Sequence, residues 1–341
     1  WQSSLNGWQC NMTKLILGIE TSCDDTSVAL VDQRGNVAAI ETVSQYEIHS
    51  EFGGVYPELA SRAHLEAILP VIKKVMTTAQ VTPSDLRAIG VTRGPGLMGS
   101  LLVGLSTAQA LGMAWDVPTY GVNHLRGHIR SVDLEEKRLS YPALVLLVSG
   151  GHTLLAFLQD QNSYELLGTT RDDSVGECYD KVARTLGLGM PGGPAIDRMA
   201  AAGTSRIKFP RPMIKSGYEF SFSGLKSSVA RYVETHAEFD VNDVAAAFVD
   251  ACLDVLSTKV LRAIENKQQA TLAVVGGVAA SPQVRARMQM ITDEAGISLC
   301  LPPQKWATDN AAMIAMASWD YIEQGLETDL EPKPNLRLGE A

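Results

Sequence analysis

The chain of 341 residues is 45% hydrophobic and 20% charged, and its formal net charge is −9. This length exceeds one comfortable hydrophobic core, so we expect two lobes, and the composition excludes a disordered or fibrous protein. The acidic balance argues against a broad nucleic-acid-binding surface, although it leaves room for a local basic patch. Five scattered cysteines without a CxxC spacing argue against a disulfide framework or a cysteine zinc site and favour a cytoplasmic protein.

Neither the start of the chain nor its long uncharged stretch predicts a membrane segment. The first residues lack the basic start and long apolar run of a signal peptide. We expect 1–13 to be a leader or added residues, with Met12 as the candidate natural start. Residues 94–115 carry no charge but include five glycines and several polar side chains between predicted strands. This pattern favours a buried, closely packed helix over a membrane span.

The first half of the chain, 14–140, predicts a three-stranded meander followed by helices alternating with strands. The apolar runs of the meander are Lys14–Glu20, Ser27–Asp32 and Val37–Val43, each separated from the next by a polar turn. The elements expected after it are helix Glu58–Thr78, strand Ala88–Thr92, helix Leu97–Ala114 and strand Thr119–Val122.

The second half, 141–341, repeats this plan. Its meander is Ala143–Val148, His152–Leu158 and Tyr164–Leu167, and its later elements are helices at Ser174–Leu186 and Val241–Asn266, strand Thr271–Val275, and helices starting at Ser281-Pro282 and near Thr308. We therefore predict an α/β fold of two duplicated lobes, each with a central mixed sheet flanked by helices. The boundary is expected near Ser140-Tyr141-Pro142, and the cleft between the lobes is the expected ligand site.

Three glycine-containing loops follow predicted strands, at Gly18–Asp25, Leu147–His152 and Val275–Ala280. Glycine adopts positive φ and lets backbone N–H groups approach an anion, and a loop that opens a helix adds the helix N-terminus. Neither a GxxxxGK(S/T) nor a GxGxxG pattern occurs, which excludes P-loop and Rossmann sites. Each loop alone is also consistent with an ordinary tight turn, but equivalent turns in both halves favour a phosphate clamp.

Two histidines four residues apart, His124 and His128, would share one face of a helix and reach a single ion. Leu125 stands where the peptidase motif HExxH needs its general-base glutamate, so a peptidase lacks its base. A catalytic metal site generally needs a third protein ligand, for which Thr308-Asp309-Asn310 is a candidate, although the Thr or Asp there is equally suited to cap a helix. From the residues alone, metal binding and a purely structural role both stay open.

Nine short motifs together resemble one family, the TsaD family of tRNA threonylcarbamoyladenosine transferases, formerly called O-sialoglycoprotein endopeptidases. They are Gly18–Asp24, Val122–His128, Leu147–Thr153, Gly176–Lys181, Pro191–Pro194, Phe209–Met213, Phe220–Lys226, Gly276–Ala280 and Thr308–Asn310. The resemblance runs from about Lys14 to Gly325, with the motifs in the family's order.

The resemblance implies an actin-like ATPase fold and one iron or zinc ion held by His124, His128 and Asp309. It also implies an adenine-nucleotide site, whose residues here are Leu147, Val148, Ser149, Gly150, Gly151, Asp180, Gly193, Asp197, Gly276, Gly277 and Ser281. Two positions depart from the family's pattern. Ser281 replaces an asparagine, and its hydroxyl reaches less far than an amide, while Asp25 replaces a glutamate and is one methylene shorter.

The activity implied by the resemblance is transfer of a threonylcarbamoyl group from threonylcarbamoyl-adenylate to the exocyclic amine of adenosine 37, in tRNAs that read ANN codons, with release of AMP. The leaving phosphate needs stabilisation, which a metal ion and the backbone N–H groups of Ser149–Gly151 would supply. The amine needs a carboxylate to take its proton, and we expect Asp24 or Asp25 in this role, with Glu20 behind them. The alternative is that Asp24 and Asp25 only bind turn amides.

The target adenine lies in a single-stranded loop, and Arg206, Lys208, Arg211 and Lys215 form the best local basic run for contacts with the tRNA anticodon loop. A solvated surface is the alternative for that run. The resemblance implies two partners, a smaller paralogous actin-like subunit (TsaB) and a P-loop ATPase (TsaE), and leaves a homodimer open. Competing interpretations are a small-molecule kinase of the same fold, a non-catalytic scaffold paralogue that has lost metal ligands, and the metallopeptidase already disfavoured.

Overall fold

The computed structural model describes residues 14–50, 52, 54–135, 137–325 and 328–340. The expectation of a leader at 1–13 lies outside the described residues. The strands of the first sheet are β1 (Leu15–Glu20), β2 (Asp25–Asp32), β3 (Val37–Ser44), β4 (Leu86–Gly94) and β5 (Thr119–Asn123). Their order across the sheet is β3-β2-β1-β4-β5, with β1, β2 and β3 antiparallel and β1, β4 and β5 parallel.

The second sheet repeats the first in every pairing. Its strands are β6 (Ala143–Val148), β7 (Thr153–Leu158), β8 (Tyr164–Thr169), β9 (Thr271–Val275) and β10 (Ser298–Cys300). The order β8-β7-β6-β9-β10 matches the first sheet strand for strand, and the same pairs are antiparallel and parallel. The predicted duplication of a mixed sheet is therefore confirmed.

The helices surround these sheets on both faces. They are α1 (Tyr46–Ser50), α2 (Pro57–Ala79), α3 (Met98–Trp115), α4 (His124–Arg130), α5 (Val175–Thr185), α6 (Gly192–Ala202), α7 (Ser223–Thr235), α8 (Val241–Asn266), α9 (Pro282–Ala295) and α10 (Ala311–Gln324). The sequence patterns do not predict α6 and α7. Both begin with glycine-containing segments of low helix propensity, and burial of Ile196, Leu225 and Val229 in the second lobe's core stabilises them instead.

Alternate residues of each central strand face different helices. Leu17 and Ile19 of β1 pack with α2 and α3, whereas Ile16 packs with α10. A Cβ at Gly18 would lie 2.2 Å from the carbonyl oxygen of Ala311, so the glycine allows α10 to approach the sheet closely. This contact brings the start of α10 against the end of β1.

Helices α4 and α10 lie between the two sheets, and each packs on the sheet formed by the other half of the chain. Leu125 and Ile129 of α4 pack on β6 of the second sheet, while α10 packs on the first sheet although its residues follow the second. Two buried ion pairs from Asp320 of α10, to Arg126 and Arg130 of α4, fix the helices together. Strands β1–β5 precede Ser140-Tyr141-Pro142 and β6–β10 follow it, but α10 packs back on the first sheet, so a division at 14–140 and 141–341 remains a prediction.

The uncharged stretch at 94–115 contains the whole of α3, and Leu101, Leu105 and Ala108 of this helix pack in the first lobe's core. Among the residues that the structure describes, no helix combines the length and apolarity needed to cross a bilayer.

Candidate functional site

The fold brings the two predicted histidines and the predicted aspartate together. The ligand atoms of His124, His128 and Asp309 all lie within 4.8 Å of one another. His124 Nε2 is 3.7 Å and His128 Nε2 is 3.1 Å from Asp309 Oδ1. His124 and His128 occupy the first and fifth positions of α4, and Asp309 lies two residues before α10. The exchange of α4 and α10 between the lobes therefore creates this cluster.

A short helix presents the histidines because strand β5 ends at a capping residue. The Asn123 side chain accepts a hydrogen bond from Leu125 N, which starts α4 directly after the strand. The two imidazoles then lie one turn apart, with ring centroids separated by 4.7 Å. A helix cap is also present at 308–310, but Asn310 forms it rather than Thr308 or Asp309. Asn310 caps α10, which leaves the carboxylate of Asp309 available to the cluster.

The donor set fits a divalent metal ion. His128 is fully buried, yet neither of its ring nitrogens makes a hydrogen bond, although Nε2 lies near the Asp309 carboxylate. A buried polar atom without a partner is costly, and a metal ion on Nε2 would remove that cost. Two imidazole nitrogens and a carboxylate oxygen are ligands suited to zinc or iron.

Glu20 orients one of these ligands. Its Oε2 accepts from His124 Nδ1 at 2.9 Å and from Thr92 Oγ1 at 2.6 Å, while Oε1 accepts from Ser22 N at 2.5 Å. With its proton held on Nδ1, the neutral ring would direct the lone pair of Nε2 at the cluster, an arrangement common around metal-bound histidines. Burial acts to raise the pKa of Glu20, but the His124 imidazole outweighs it and lowers the pKa, so the carboxylate stays ionised.

The remaining charges of the cluster support one another. Burial alone would lower the pKa of His124, but the Glu20 and Asp309 carboxylates raise it to about 9. Burial would raise the pKa of Asp309, yet His124 and His128 hold it well below its usual range. His152 has no predicted role, but burial lowers its pKa to about 4, and the nearby His124 and His128 add to this shift. Protons and a metal ion would therefore compete for the same nitrogens.

Asp25 has the surroundings of a proton acceptor. It is the first residue of β2, its Oδ1 is buried without a hydrogen-bond partner, and it lines a cavity of about 430 Å³ together with Asp309. Burial, supported by the neighbouring charges of Asp24, Asp309 and Glu20, raises the pKa of Asp25 to about 6. Neither Asp24 nor Asp25 accepts a hydrogen bond from a backbone amide of the described residues, contrary to the turn-capping alternative.

A buried histidine that the sequence analysis does not single out holds this loop. His64 of α2 is 0% exposed, and its Nε2 lies 3.0 Å from the Cys23 carbonyl and its Nδ1 2.8 Å from Thr26 Oγ1. Since a carbonyl only accepts, Nε2 carries the proton and Nδ1 accepts from the threonine hydroxyl. Burial lowers the pKa of His64, which keeps the ring neutral in this role. In the sequence, His64 looks like one more inward position of an amphipathic helix.

A larger cavity of about 630 Å³ shares the lining residue Thr308 with the cavity beside Asp25. Six of the residues predicted for nucleotide binding line it: Gly150, Asp180, Gly193, Asp197, Gly277 and Ser281. Asp197 Oδ1 and Tyr179 Oη, both at this cavity, are buried and have no hydrogen-bond partner within the described residues. Such atoms are available to a polar ligand.

The other predicted nucleotide residues support the cavity or lie beside it. Leu147 and Val148 are fully buried in the two apolar clusters flanking β6. Gly276 has φ +93°, and a Cβ there would lie 2.4 Å from the Val148 carbonyl oxygen. Gly151 is exposed in the turn between β6 and β7 and does not line the cavity.

Two expectations about the glycine loops are wrong in detail. Ser149 N donates to His152 O at 2.8 Å to close the hairpin, so its amide is not free for an anion. The expected positive φ is found only at Gly276 among the glycines of the second and third loops. Gly150, Gly151 and Gly277 do not have it. The free amides within the described turn are those of Gly150 and Gly151.

The third loop also differs from its prediction. A 3-10 turn, Gly277–Ala280, separates the glycines from α9, so they do not open the helix directly. Ser281 is the N-cap of α9 and accepts a hydrogen bond from Val284 N at 3.4 Å. Its hydroxyl therefore already has a structural role at the rim of the cavity.

One member of the basic run is not available to RNA. Arg211 pairs with Asp250 and Asp254 of α8, both at 2.9 Å, so its charge is neutralised within the protein. Arg206, Lys208 and Lys215 are exposed. The basic footprint is thus smaller than the sequence indicates.

Comparison with known proteins gives a consistent result. Residues 36–316 match the sequence profile of the TsaD family, described as tRNA N6-adenosine threonylcarbamoyltransferase. The chain is 44% identical over 338 residues to the Staphylococcus haemolyticus protein of that name, covering 97% of this chain and 98% of the relative. It is also 44% identical to the Bacillus subtilis protein of that name, covering 95% of each.

Solved structures show the fold. HypF from T. kodakarensis aligns with a TM-score of 0.63 at 13% identity, covering 94% of this chain and 49% of HypF. The activator of 2-hydroxyisocaproyl-CoA dehydratase from Clostridium difficile aligns with a TM-score of 0.53 at 16% identity, covering 91% of this chain and 96% of the activator. These similarities confirm the predicted actin-like ATPase fold.

Proposed function

Because the chain belongs to the tRNA N6-adenosine threonylcarbamoyltransferase family and is a tRNA-modifying transferase, we propose that it moves a threonylcarbamoyl group from threonylcarbamoyl-adenylate to the N6 amine of adenosine 37, in tRNAs that read ANN codons, and releases AMP. The observation that carries this proposal is the cluster of His124, His128 and Asp309. One cavity is lined by Asp25 and Asp309, and a second, among the glycine loops, shares Thr308 with it.

The metal site is part of the proposal. His124, His128 and Asp309 would hold one Fe²⁺ or Zn²⁺ ion, with Glu20 fixing the tautomer of His124. When bound, such an ion would act as a Lewis acid that stabilises negative charge on the leaving phosphate. All three ligand residues are present, which disfavours the scaffold alternative, since that alternative requires lost ligands.

Asp25 is our choice for the proton acceptor. In the transfer, the adenosine N6 attacks the carbamoyl carbon, a C–N bond forms, the C–O bond to the phosphate breaks, and AMP leaves with the bonding electrons. One proton of the amine must be removed, and the Asp25 carboxylate would receive it. Its pKa of about 6 makes it a stronger base than an ordinary aspartate while leaving it mostly ionised at neutral pH.

The adenylate part of the donor would occupy the cavity of about 630 Å³. Asp197 Oδ1 and Tyr179 Oη offer unpartnered polar atoms for the nucleoside. The free amides of Gly150 and Gly151 are suited to the phosphate, next to the metal cluster.

The decisive experiment combines purified protein, threonylcarbamoyl-adenylate and unmodified tRNA, with mass spectrometry of the nucleosides. We expect threonylcarbamoyl-adenosine with the wild type and none above background with His124→Ala. His236→Ala is the matched control, because His236 is an exposed histidine stacked on Tyr232 outside the cluster. Equal product from His124→Ala would remove the metal from the mechanism, and ADP and sugar phosphate formed from ATP and a sugar would favour a kinase.

The partners and location are proposals as well. Exposed apolar side chains Leu65 and Leu69 of α2, together with Met98 and Leu102 of α3, form a face suited to a second protein. We assign this face to the smaller paralogous subunit, with a P-loop ATPase joining the assembly, and a homodimer as the alternative. A tRNA substrate implies the cytoplasm. Size-exclusion chromatography of Leu65→Glu, which should dissociate a complex through this face, tests the assignment.

A further inference from the structure

The exposed aromatic side chains of the described residues are confined to one segment. Tyr46 is 44% exposed, Phe52 58% and Tyr56 48%, whereas every other described aromatic residue is at least partly buried. The Phe52 and Tyr56 rings lie 5.7 Å apart in a tilted arrangement. We call these three side chains the aromatic rim. Exposed aromatic surface concentrated in this way marks an interaction site more often than chance exposure does.

Internal hydrogen bonds keep the segment folded with these rings outside. His49 is 4% exposed, and its Nδ1 accepts from Tyr56 N at 3.3 Å, so its Nε2 donates to Gln45 Oε1 at 3.0 Å. Gln45 in turn donates to the Ala60 carbonyl. The side chains of Gln45 and His49 thus face inward and are satisfied, while the rings of the aromatic rim face solvent. This is the opposite of the usual preference of aromatic residues for burial.

The aromatic rim adjoins both sides of the proposed reaction site. Gln45 N donates to the Asp24 carbonyl, and Asp25 pairs with Ser44 across the β2–β3 ladder, which ties the rim to the acidic loop. On the opposite lobe, Tyr46 Oη donates to the Met190 carbonyl at 2.7 Å, directly before Pro191 at the edge of the nucleotide cavity. The rim therefore lies at the mouth of the cleft.

We infer that the aromatic rim binds the unpaired bases of the tRNA anticodon loop that flank the target adenosine, by stacking on Phe52 and Tyr56. This inference rests on the proposed function for the identity of the RNA. An adenine that reaches Asp25 must leave its own stack, and the nucleotides beside it then lie at the mouth of the cleft. Single-stranded bases stack readily on aromatic side chains, and stacking suits an acidic protein because it does not require positive charge.

The inference has a specific consequence for salt dependence. Phosphate contacts release counterions and weaken steeply as salt rises, whereas base stacking does not. Removing a ring from the rim should weaken RNA binding by a similar factor at low and high salt. Removing Lys215, one of the exposed basic residues, should instead lower the salt dependence itself.

The test measures binding of the full chain to an anticodon stem-loop RNA carrying 2-aminopurine beside the target adenosine. We expect Phe52→Ala and Tyr56→Ala each to weaken binding about 5- to 100-fold, in line with the stacking contribution of one base, and to abolish the fluorescence change of the 2-aminopurine. Phe52→Trp should retain both signals, whereas Phe52→Leu, which keeps apolar surface but no ring, should lose the fluorescence change. Met113→Ala, at an 87% exposed side chain on α3, is the control for loss of exposed apolar surface.

Unchanged RNA binding and unchanged fluorescence in both alanine variants would overturn the inference. The same result combined with loss of a protein complex would assign the rim to a protein partner instead. The inference and the proposed function can fail independently of each other. Rim-dependent binding without any threonylcarbamoyl-adenosine would refute the proposed transfer alone, and modification with wild-type tRNA affinity in the rim variants would refute the rim alone.

Discussion

The two lobes contain equivalent hairpins, β1–β2 and β6–β7, whose turns differ sharply in chemistry. The turn between β1 and β2 carries Asp24 and is flanked by Glu20 and Asp25. Side chains from four other elements bond to this turn or to Glu20: Thr92, Ser100, His64 and His124. The turn after β6 is Ser149–His152, closed by bonds between its own two ends, with exposed glycines between them.

The difference follows from what each turn presents. Charged groups inside a protein need partners that fix their position and ionisation, so the acidic turn is surrounded by hydrogen bonds. Backbone amides offered to a ligand need open space, so the glycine turn is free of side chains on its outer face, where a Cβ on Gly150 or Gly151 would meet nothing within 4 Å. One duplicated hairpin has therefore acquired two chemical roles.

The largest effect should come from the acidic turn. Asp25→Asn keeps the shape but cannot accept a proton, so we expect the single-turnover rate to fall by about 10²- to 10⁴-fold. Because the carboxylate must be ionised to accept, the wild-type rate should rise with pH through about 6 and level off above it. That limb should be absent in Asp25→Asn. Asp24→Asn is the matched control. If the rise of the rate with pH were lost in Asp24→Asn but kept in Asp25→Asn, Asp24 would be the proton acceptor.

The sequence predicts the fold well because strand and helix periodicities repeat in the same order in both halves. Helix Val241–Asn266 and strand Thr271–Val275 have the predicted bounds. Helices α6 and α7 are missed because burial, rather than propensity, stabilises them. Sequence spacing also cannot reveal that α4 and α10 exchange lobes, since packing between distant elements decides it.

The site is less predictable than the fold. The resemblance supplies His124, His128 and Asp309, and the structure brings them together. Sequence reasoning places Glu20 behind the proton acceptor, but its carboxylate is fully engaged with His124, Thr92 and Ser22. Glu20 lies 72 positions from Thr92 and 104 positions from His124 in the sequence, so no local pattern encodes these contacts.

The second-largest effect concerns Gly150 in the glycine turn and Gly276 in the loop after β9. Gly276→Ala forces a side chain into positive φ and against the Val148 carbonyl, so we expect about 2–5 kcal/mol of lost stability by chemical denaturation. Gly150→Ala should leave the stability nearly unchanged but weaken AMP binding, because its Cβ projects into open space at the cavity. A stability loss in Gly150→Ala equal to that in Gly276→Ala would contradict the openness of the turn.

The next effect tests whether Glu20 orients a metal ligand. Glu20→Gln offers one acceptor oxygen where three donors now converge, so His124 should lose its fixed tautomer. We expect zinc affinity, measured by competition with a chelating dye, to fall about 10- to 100-fold. Glu165→Gln, which alters the ion pair between Glu165 of β8 and Lys267, should retain wild-type zinc affinity. Unchanged zinc affinity in Glu20→Gln would restrict Glu20 to a structural role.

The smallest effect concerns the bond that holds the acidic turn to α2. Thr26→Val keeps the shape but removes the hydroxyl that donates to His64 Nδ1, leaving a buried acceptor unsatisfied. We expect a stability loss of about 1 kcal/mol and a few-fold decrease in the transfer rate, with zinc affinity unchanged because the metal ligands lie on α4 and before α10. Thr26→Ser retains the hydroxyl and should restore the rate. If Thr26→Val loses stability but keeps the wild-type rate, the bond from α2 stabilises the fold without positioning Asp25, and the contrast between the two hairpins then rests on Glu20 and its donors.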